Sequence, residues 1–254
     1  MLISIVVIFI YQKYGSQKLS FSFAIGKQLF ARSRYYIVSG MMVTVFSQTD
    51  KIMIKTMIGD SANGYYSAAI TCAAITGFVF SALIDSMRPV IFESNKISEE
   101  RFEKNMARLY SLIIYMGLAQ SVVLTLLADP IISVLYGKDY LPSIPLLQII
   151  TWYSAFSYMG SVRNIWMLAK EKQRYLWMIN LMGAALNVAG NFALIPALGA
   201  SGAAIASVAT QFFTNFILCL IFKPIKPTTR LIIRALNPKT IIEMIPHKEN
   251  KNVK

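Results

Sequence analysis

Six stretches, approximately 35–58, 65–87, 109–128, 145–162, 175–198 and 200–222, run for about twenty residues each almost free of charge. A helix rising about 1.5 Å per residue needs about 20 apolar residues to cross the roughly 30 Å hydrocarbon layer of a bilayer. Strands crossing a membrane would alternate apolar and polar side chains, whereas these runs are continuous and carried by Ala, Leu, Ile and Met, so they read as helices. The sequence therefore predicts an all-α membrane protein, an antiparallel transmembrane helical bundle of six full spans. Composition agrees: 56% of the 254 residues are apolar and 15% charged, against roughly 45–50% and about 25% in soluble domains. A disordered chain is excluded, and an ordinary cytosolic enzyme nearly so.

Residues 1–11 are also apolar, but that length makes only about 16 Å of helix, half a crossing. No basic residue precedes Leu2, and Tyr11, Gln12 and Lys13 follow where a signal peptide would have a small-residue cleavage site. The expectation is a truncated span, the tail of a helix that begins outside this chain.

Orientation follows from the cations, which are retained on the cytoplasmic side. Lys13, Lys18, Lys27, Arg32 and Arg34 precede the first full span, and Arg88, Lys96, Arg101, Lys104 and Arg108 separate the second from the third. Arg163, Lys170, Lys172 and Arg174 separate the fourth from the fifth, and eight more follow Phe222. Lys138 alone falls on the other side, with Lys51 and Lys55 inside the first span. Six crossings with so lopsided a distribution place both termini in the cytoplasm. The net charge of +13 is then a belt facing membrane lipids rather than a patch for nucleic acid, which is not expected as a partner. The chain divides into 1–34, a truncated span and basic cytoplasmic linker; 35–222, the bundle; and 223–254, a basic cytoplasmic tail whose last dozen residues read as disordered.

Two short outer turns are expected, at residues 59–64 and 196–202, where Gly and Asn supply unusual backbone angles. Between Arg88 and Arg108, Ser98 is placed to cap a helix with Glu99 and Glu100 in its first turn and Glu100 four residues before Lys104. A short amphipathic helix on the cytoplasmic surface is the expectation there.

An ionisable residue inside a spanning helix is costly and marks a functional site by default. Only the first span carries several. At about 100° per residue, Thr44, Gln48, Lys51 and Lys55 share an arc of roughly 60°, a polar stripe suited to a water-filled cavity that receives an anion. Asp50 lies off the stripe, on the face of Phe46, Met53 and Met57, and must look toward a neighbouring helix. A plainer reading stands beside this one: Lys55 reaches to the outer surface and Asp50 pairs with a polar group in a part of the protein missing from this chain. Asn180, Gly183, Asn187 and Asn191 form one line down the fifth span, either knitting helices together or facing substrate. Gly199, Gly202, Ala203, Ala206 and Ser207 fit close helix packing. Trp152, Tyr153, Tyr158 and Trp166 fit core packing and interfacial anchoring, with sugar stacking as the alternative. Asp85 and Arg88 are spaced to pair with each other. Cys72 and Cys219 lack metal or disulfide spacing, and the one histidine, His247, sits in the tail. No catalytic cluster, metal site or cofactor is expected, and the chain does not read as an enzyme.

Three stretches carry a resemblance to a known family. They are Ser47-Gln48-Thr49-Asp50-Lys51-Ile52-Met53-Ile54 running into Ile58-Gly59-Asp60 and Gly64-Tyr65-Tyr66-Ser67-Ala68-Ala69; Leu135-Tyr136-Gly137-Lys138-Asp139-Tyr140; and Gly199-Ala200-Ser201-Gly202-Ala203-Ala204. The first is the most specific. Together they resemble the C-terminal half of bacterial O-antigen and polysaccharide flippases, in the superfamily that also holds multidrug exporters. The resemblance implies two six-helix lobes around a central cationic cavity in the bacterial inner membrane, moving an undecaprenyl-pyrophosphate-linked oligosaccharide to the outer leaflet. It implies that Lys51, Lys55, Gln48, Thr44 and Asn187 face substrate and that Asp50 is a candidate for ion or proton coupling. Such proteins have about twice as many spans as this chain, so its partner would be a missing N-terminal lobe or a second copy, and the chain would be a truncated, partial or split gene product, incomplete alone. Two alternatives remain at the level of sequence, a membrane enzyme of the same pathway (a polymerase or acyltransferase) and a non-catalytic membrane adaptor.

Overall fold

A computed structural model describes residues 22–237, which form helices and no strand. The apolar segment 1–11, the last dozen residues and His247 lie outside the described residues. In chain order the helices are α1 (Phe23–Met57), α2 (Asp60–Ala74), α3 (Gly77–Ile97), α4 (Glu99–Leu126), α5 (Ala128–Tyr136), α6 (Ser143–Ala169), α7 (Leu176–Leu198), α8 (Ala200–Phe212), a π-helical turn (Phe213–Ile217), α9 (Leu218–Ile221) and α10 (Pro227–Ala235).

Local chemistry explains the boundaries. The Ser22 hydroxyl accepts from the Ile25 amide and starts α1, and Gly59, at φ 134°, ends it and turns directly into α2. Ser98 caps α4, its hydroxyl accepting from the Arg101 amide at 3.2 Å, with Glu99 and Glu100 in the first turn. The amphipathic surface helix expected across 88–108 does not form as a separate element. Instead α3 continues past Arg88 to Ile97 and α4 begins at Glu99, so Ser98 alone joins two long helices. Asp85 and Arg88 pair with each other on α3, at 2.9 Å.

Among the described residues, three helical units are long and apolar enough to cross a membrane: Glu99–Leu126, Gln173–Leu198 and Ala200–Ile221. The pair α2 and α3, bent by 43° at its break, makes a fourth if counted as one broken span. At the break Gly77 leaves room for Tyr158: a Cβ there would lie 2.8 Å from the Tyr158 hydroxyl, and the Tyr158 ring stacks on Phe80 at 4.1 Å. The expected stretch at 35–58 lies inside α1 apart from its last residue and that at 145–162 inside α6, neither apolar enough to meet the same criterion. For α6 the reason is its position. It packs against α2, α3, α4, α5, α8 and the π turn, so neighbouring helices rather than solvent meet its polar groups, including the buried Ser143, Thr151, Ser154 and Arg163.

The described surface is apolar where helices face outward. Leu118, Val122, Val123 and Leu126 of α4 and Leu181, Leu186 and Phe192 of α7 are exposed, an amount of outward apolar surface a soluble protein avoids. Inside, two clusters fill the bundle. One joins α3, α4, α6 and α10 around Phe102, Tyr110, Val162 and Trp166; the other joins α1, α2, α5, α6 and α8 around Ile54, Tyr66, Leu147 and Ala203. Trp166 is thereby a core residue, with the Lys172 ammonium 4.8 Å from its ring centre.

The helix ends gather in two sets. At one end Ile58 approaches Gly199, and Tyr65, Tyr136 and Tyr140 pack together. At the other, Asn95 donates to the Ala169 carbonyl, Lys170 pairs with Glu99, and Lys172 donates to the Pro224 carbonyl. The described part of the tail holds a helix: α10 starts with Pro227 and buries Thr228, Leu231, Ile232 and Ala235 against α4.

Candidate functional site

Asp50 sits seven residues before the end of α1 and is 5% exposed. It faces other helices, as its position off the polar stripe requires. Tyr66 of α2 donates to its Oδ2 at 2.7 Å, Asn191 of α7 donates to its Oδ1 at 2.6 Å, and the Ser207 hydroxyl of α8 donates to Oδ2. Asn187, one turn before Asn191, donates to Ser207 Oγ at 3.1 Å, and its own Oδ1 accepts from Asn191 at 3.3 Å. One carboxylate therefore ties α1 to three other helices through neutral donors, with Tyr66, Asn187, Asn191 and Ser207 all buried. No cation lies within ion-pair distance of Asp50 among the described residues. A charge so placed is held by hydrogen bonds alone.

A cavity of about 270 Å³ opens beside this cluster, lined by Gln48, Asp50, Lys51, Tyr66, Tyr153 and Ser207 among others. The polar stripe divides at this point. Gln48 and Lys51 line the cavity, Lys51 half-buried and without an acidic partner among the described residues. Lys55, one turn further, is exposed and pairs with Asp60 at 2.8 Å. An exposed pair of that kind contributes about 0–1 kcal/mol, so Lys55 reads as a surface cation at the helix end. Thr44 is exposed, its hydroxyl donating to the Gly40 carbonyl at 3.1 Å. The structure brings Gln48, Lys51, Asp50 and Asn187 to one place and leaves Thr44 and Lys55 outside it.

Tyr66, Asn191 and Ser207 were not singled out by the sequence as partners of Asp50. Asn191 had a signal, since it shares a helical line with Asn187; Tyr66 had none, because an aromatic residue in an apolar run does not announce what its hydroxyl meets. The line on α7 serves two places: Asn191 reaches Asp50 directly and Asn187 through Ser207 and Asn191, while Asn180 and Gly183 border a second cavity around Arg163. Arg163, grouped by sequence with the cationic connection, lies inside α6 and is 4% exposed.

The sequence comparisons bear on what such a bundle belongs to. An uncharacterized membrane protein of Methanocaldococcus jannaschii is 27% identical over 212 residues, covering 82% of this chain and 41% of that protein. The capsular polysaccharide biosynthesis protein CapF of Staphylococcus aureus is 22% identical over 203 residues, covering 79% of this chain and 51% of that protein. The chain thus spans about half the length, or less, of these two relatives. No solved structure matches. The model of a family described as polysaccharide biosynthesis protein matches residues 1–145, more than half of the sequence and including the stretch that carries Gln48, Asp50, Lys51 and Tyr66, and the chain belongs to that family of membrane proteins.

Proposed function

We propose that this chain is one lobe of a membrane transporter that flips a lipid-linked oligosaccharide, its head a diphosphate on a polyprenyl chain, across the plasma membrane during polysaccharide assembly. In this reading α1, the bent pair α2 and α3, α4, α6, α7 and the unit α8 to α9 are six antiparallel crossings, with the end that holds Ser98 and Lys172 in the cytoplasm. The observation that carries it is the buried carboxylate of Asp50, placed beside a cavity that also presents the ammonium of Lys51. Opposite charges that share a cavity without neutralising each other fit a transporter: Lys51 attracts the anionic head, and Asp50 takes up a proton or a small cation whose binding changes how α1 is held to α2, α7 and α8. Against an enzyme of the same pathway, the Tyr66 and Ser207 hydroxyls that line the cavity are spent on holding Asp50 to neighbouring helices.

The test is complementation of a strain lacking its own flippase, first with this chain alone and then with a second lobe supplied. Rescue is expected only with both. In the rescued strain, Lys51→Ala is expected to cut polymer export at least tenfold, while Lys104→Ala, which removes an exposed cation from α4, leaves it within twofold. Equal effects would show Lys51 to be a surface anchor.

A further inference from the structure

The transport reading makes no use of Arg163. Its guanidinium is enclosed by protein, with the Cys219 thiol and the Tyr110 phenol beside it and neutral oxygens as its hydrogen-bond acceptors. Nη1 donates to the Thr214 carbonyl at 2.7 Å and to Asn215 Oδ1 at 2.8 Å, and Nη2 reaches Asn164 Oδ1 at 3.4 Å. Nε is buried with no hydrogen-bond partner. No carboxylate lies within ion-pair distance of this arginine among the described residues. Nε is closed off from the cavity, with the Cys219 thiol as a neighbour of the guanidinium, whereas Nη2, held only by the long contact to Asn164, is the donor left for an oxyanion in the cavity.

The surroundings are built to keep it so. Thr214 and Asn215 belong to the π-helical turn that interrupts the last long helix, a distortion that recurs at functional sites. Asn215 is itself fixed by donating to Gln211 Oε1 at 2.6 Å. A Cβ on Gly160 would lie 2.4 Å from Asn215 Oδ1, so the glycine one turn before Arg163 makes room for the side chain that holds it. A cavity of about 190 Å³ adjoins, and Ser157, Ser161, Asn164, Asn180 and Gln211 line it along with Arg163.

From this we infer that the Arg163 cavity binds a phosphoryl anion. A buried, unneutralised charge is costly unless a counter-ion completes it. The ring of hydroxyl and amide groups offers more donors than the two oxygens of a carboxylate require, and suits the three oxygens of a phosphoryl group. Tyr153 borders both this cavity and the one at Lys51. It stands ten residues before Arg163 on α6, about 15 Å along the helix. On the topology proposed above, Arg163 is near the cytoplasmic end and Lys51 near the outer end, so the two cations are successive stations for one phosphoryl head. The ordering of stations rests on that reading; binding at Arg163 does not.

The experiment is equilibrium binding to the purified chain in detergent, with inorganic pyrophosphate in one arm and farnesyl diphosphate in the other. Saturable binding is expected, at least tenfold weaker in Arg163→Gln and about tenfold weaker in Arg163→Lys, which keeps the charge but not the planar fork, and changed less than threefold in Lys104→Gln, which removes an exposed cation outside both cavities. Tighter binding of farnesyl diphosphate identifies a lipid headgroup as the source and equal binding a free anion; both support the site. Arg163→Lys guards against a Gln variant that does not fold. Absence of binding in both arms, equal binding by wild type and Arg163→Lys, or stronger binding of glucuronate than of pyrophosphate overturns the inference, whether or not complementation succeeds.

Discussion

Replacing Asp50 by alanine is expected to abolish export and to lower the thermal stability of the detergent-solubilised chain, because three donors on three helices lose one acceptor. Each buried donor left unsatisfied costs about 1–3 kcal/mol. The cost is not uniform here. Tyr66 and Ser207 border the cavity, where water can take the place of the carboxylate, whereas Asn191 is buried and does not line it. A net loss of about 2 kcal/mol therefore follows. Asp50→Asn separates structure from function: its carbonyl still accepts from Tyr66 or Ser207, so stability falls less than in Asp50→Ala, but the charge is gone and export is expected to be lost equally. A melting curve and a complementation assay on the two variants distinguish the roles. Export retained by Asp50→Asn would reduce Asp50 to a structural tie.

The second large effect lies at the contact between α7 and α8. A Cβ on Gly202 would fall 2.3 Å from the Leu194 carbonyl oxygen and 2.9 Å from the Ile195 nitrogen. Both are backbone atoms, so relief requires the helices to separate rather than a side chain to rotate. Overpacking of this kind costs about 1–3 kcal/mol. The same interface carries the bond from Asn187 to Ser207, and it positions Asn191 and Ser207 on Asp50, so separation also loosens the site. Gly202→Ala is expected to lower the melting temperature and export together. Gly64→Ala is the matched control, since nothing lies within 4 Å of its added methyl and alanine favours the helix by roughly 0.5–1 kcal/mol; it should melt no lower than the wild type. If both variants melt alike, the close approach of α7 and α8 is wrong.

Periodicity and charge made much of this legible. The six apolar runs fall, apart from residues at their ends, on helices or consecutive helical segments, of which three, or four with the bent pair, are long and apolar enough to cross a membrane among the described residues, and the capping chemistry at Ser98 and the pairing of Asp85 with Arg88 follow from spacing alone. Sequence patterns fail where a tertiary neighbour decides. Thr44, Gln48, Lys51 and Lys55 share one face of α1, but a helix face is not one environment along its length: Lys55 has already reached the end of the helix, where Asp60 meets it. Arg163 shows the converse. Counted by sign it joined the cations of a connection, yet α6 continues to Ala169, and a charge says nothing about whether water or protein surrounds it. The three-way clasp on Asp50 joins residues up to 157 positions apart, which no local pattern encodes.

All of these residues acquire their proposed roles from the way the chain crosses the bilayer, and side-specific thiol labelling measures that directly. Single cysteines are introduced at exposed positions, Ser61→Cys and Asp139→Cys at one end of the bundle and Lys96→Cys and Lys226→Cys at the other; the native Cys72 and Cys219 are buried. A membrane-impermeant maleimide should label the first pair in intact cells and the second pair only after permeabilisation. Labelling of Ser61→Cys and Lys96→Cys from the same side would contradict a crossing by α2 and α3, and with it the transporter lobe.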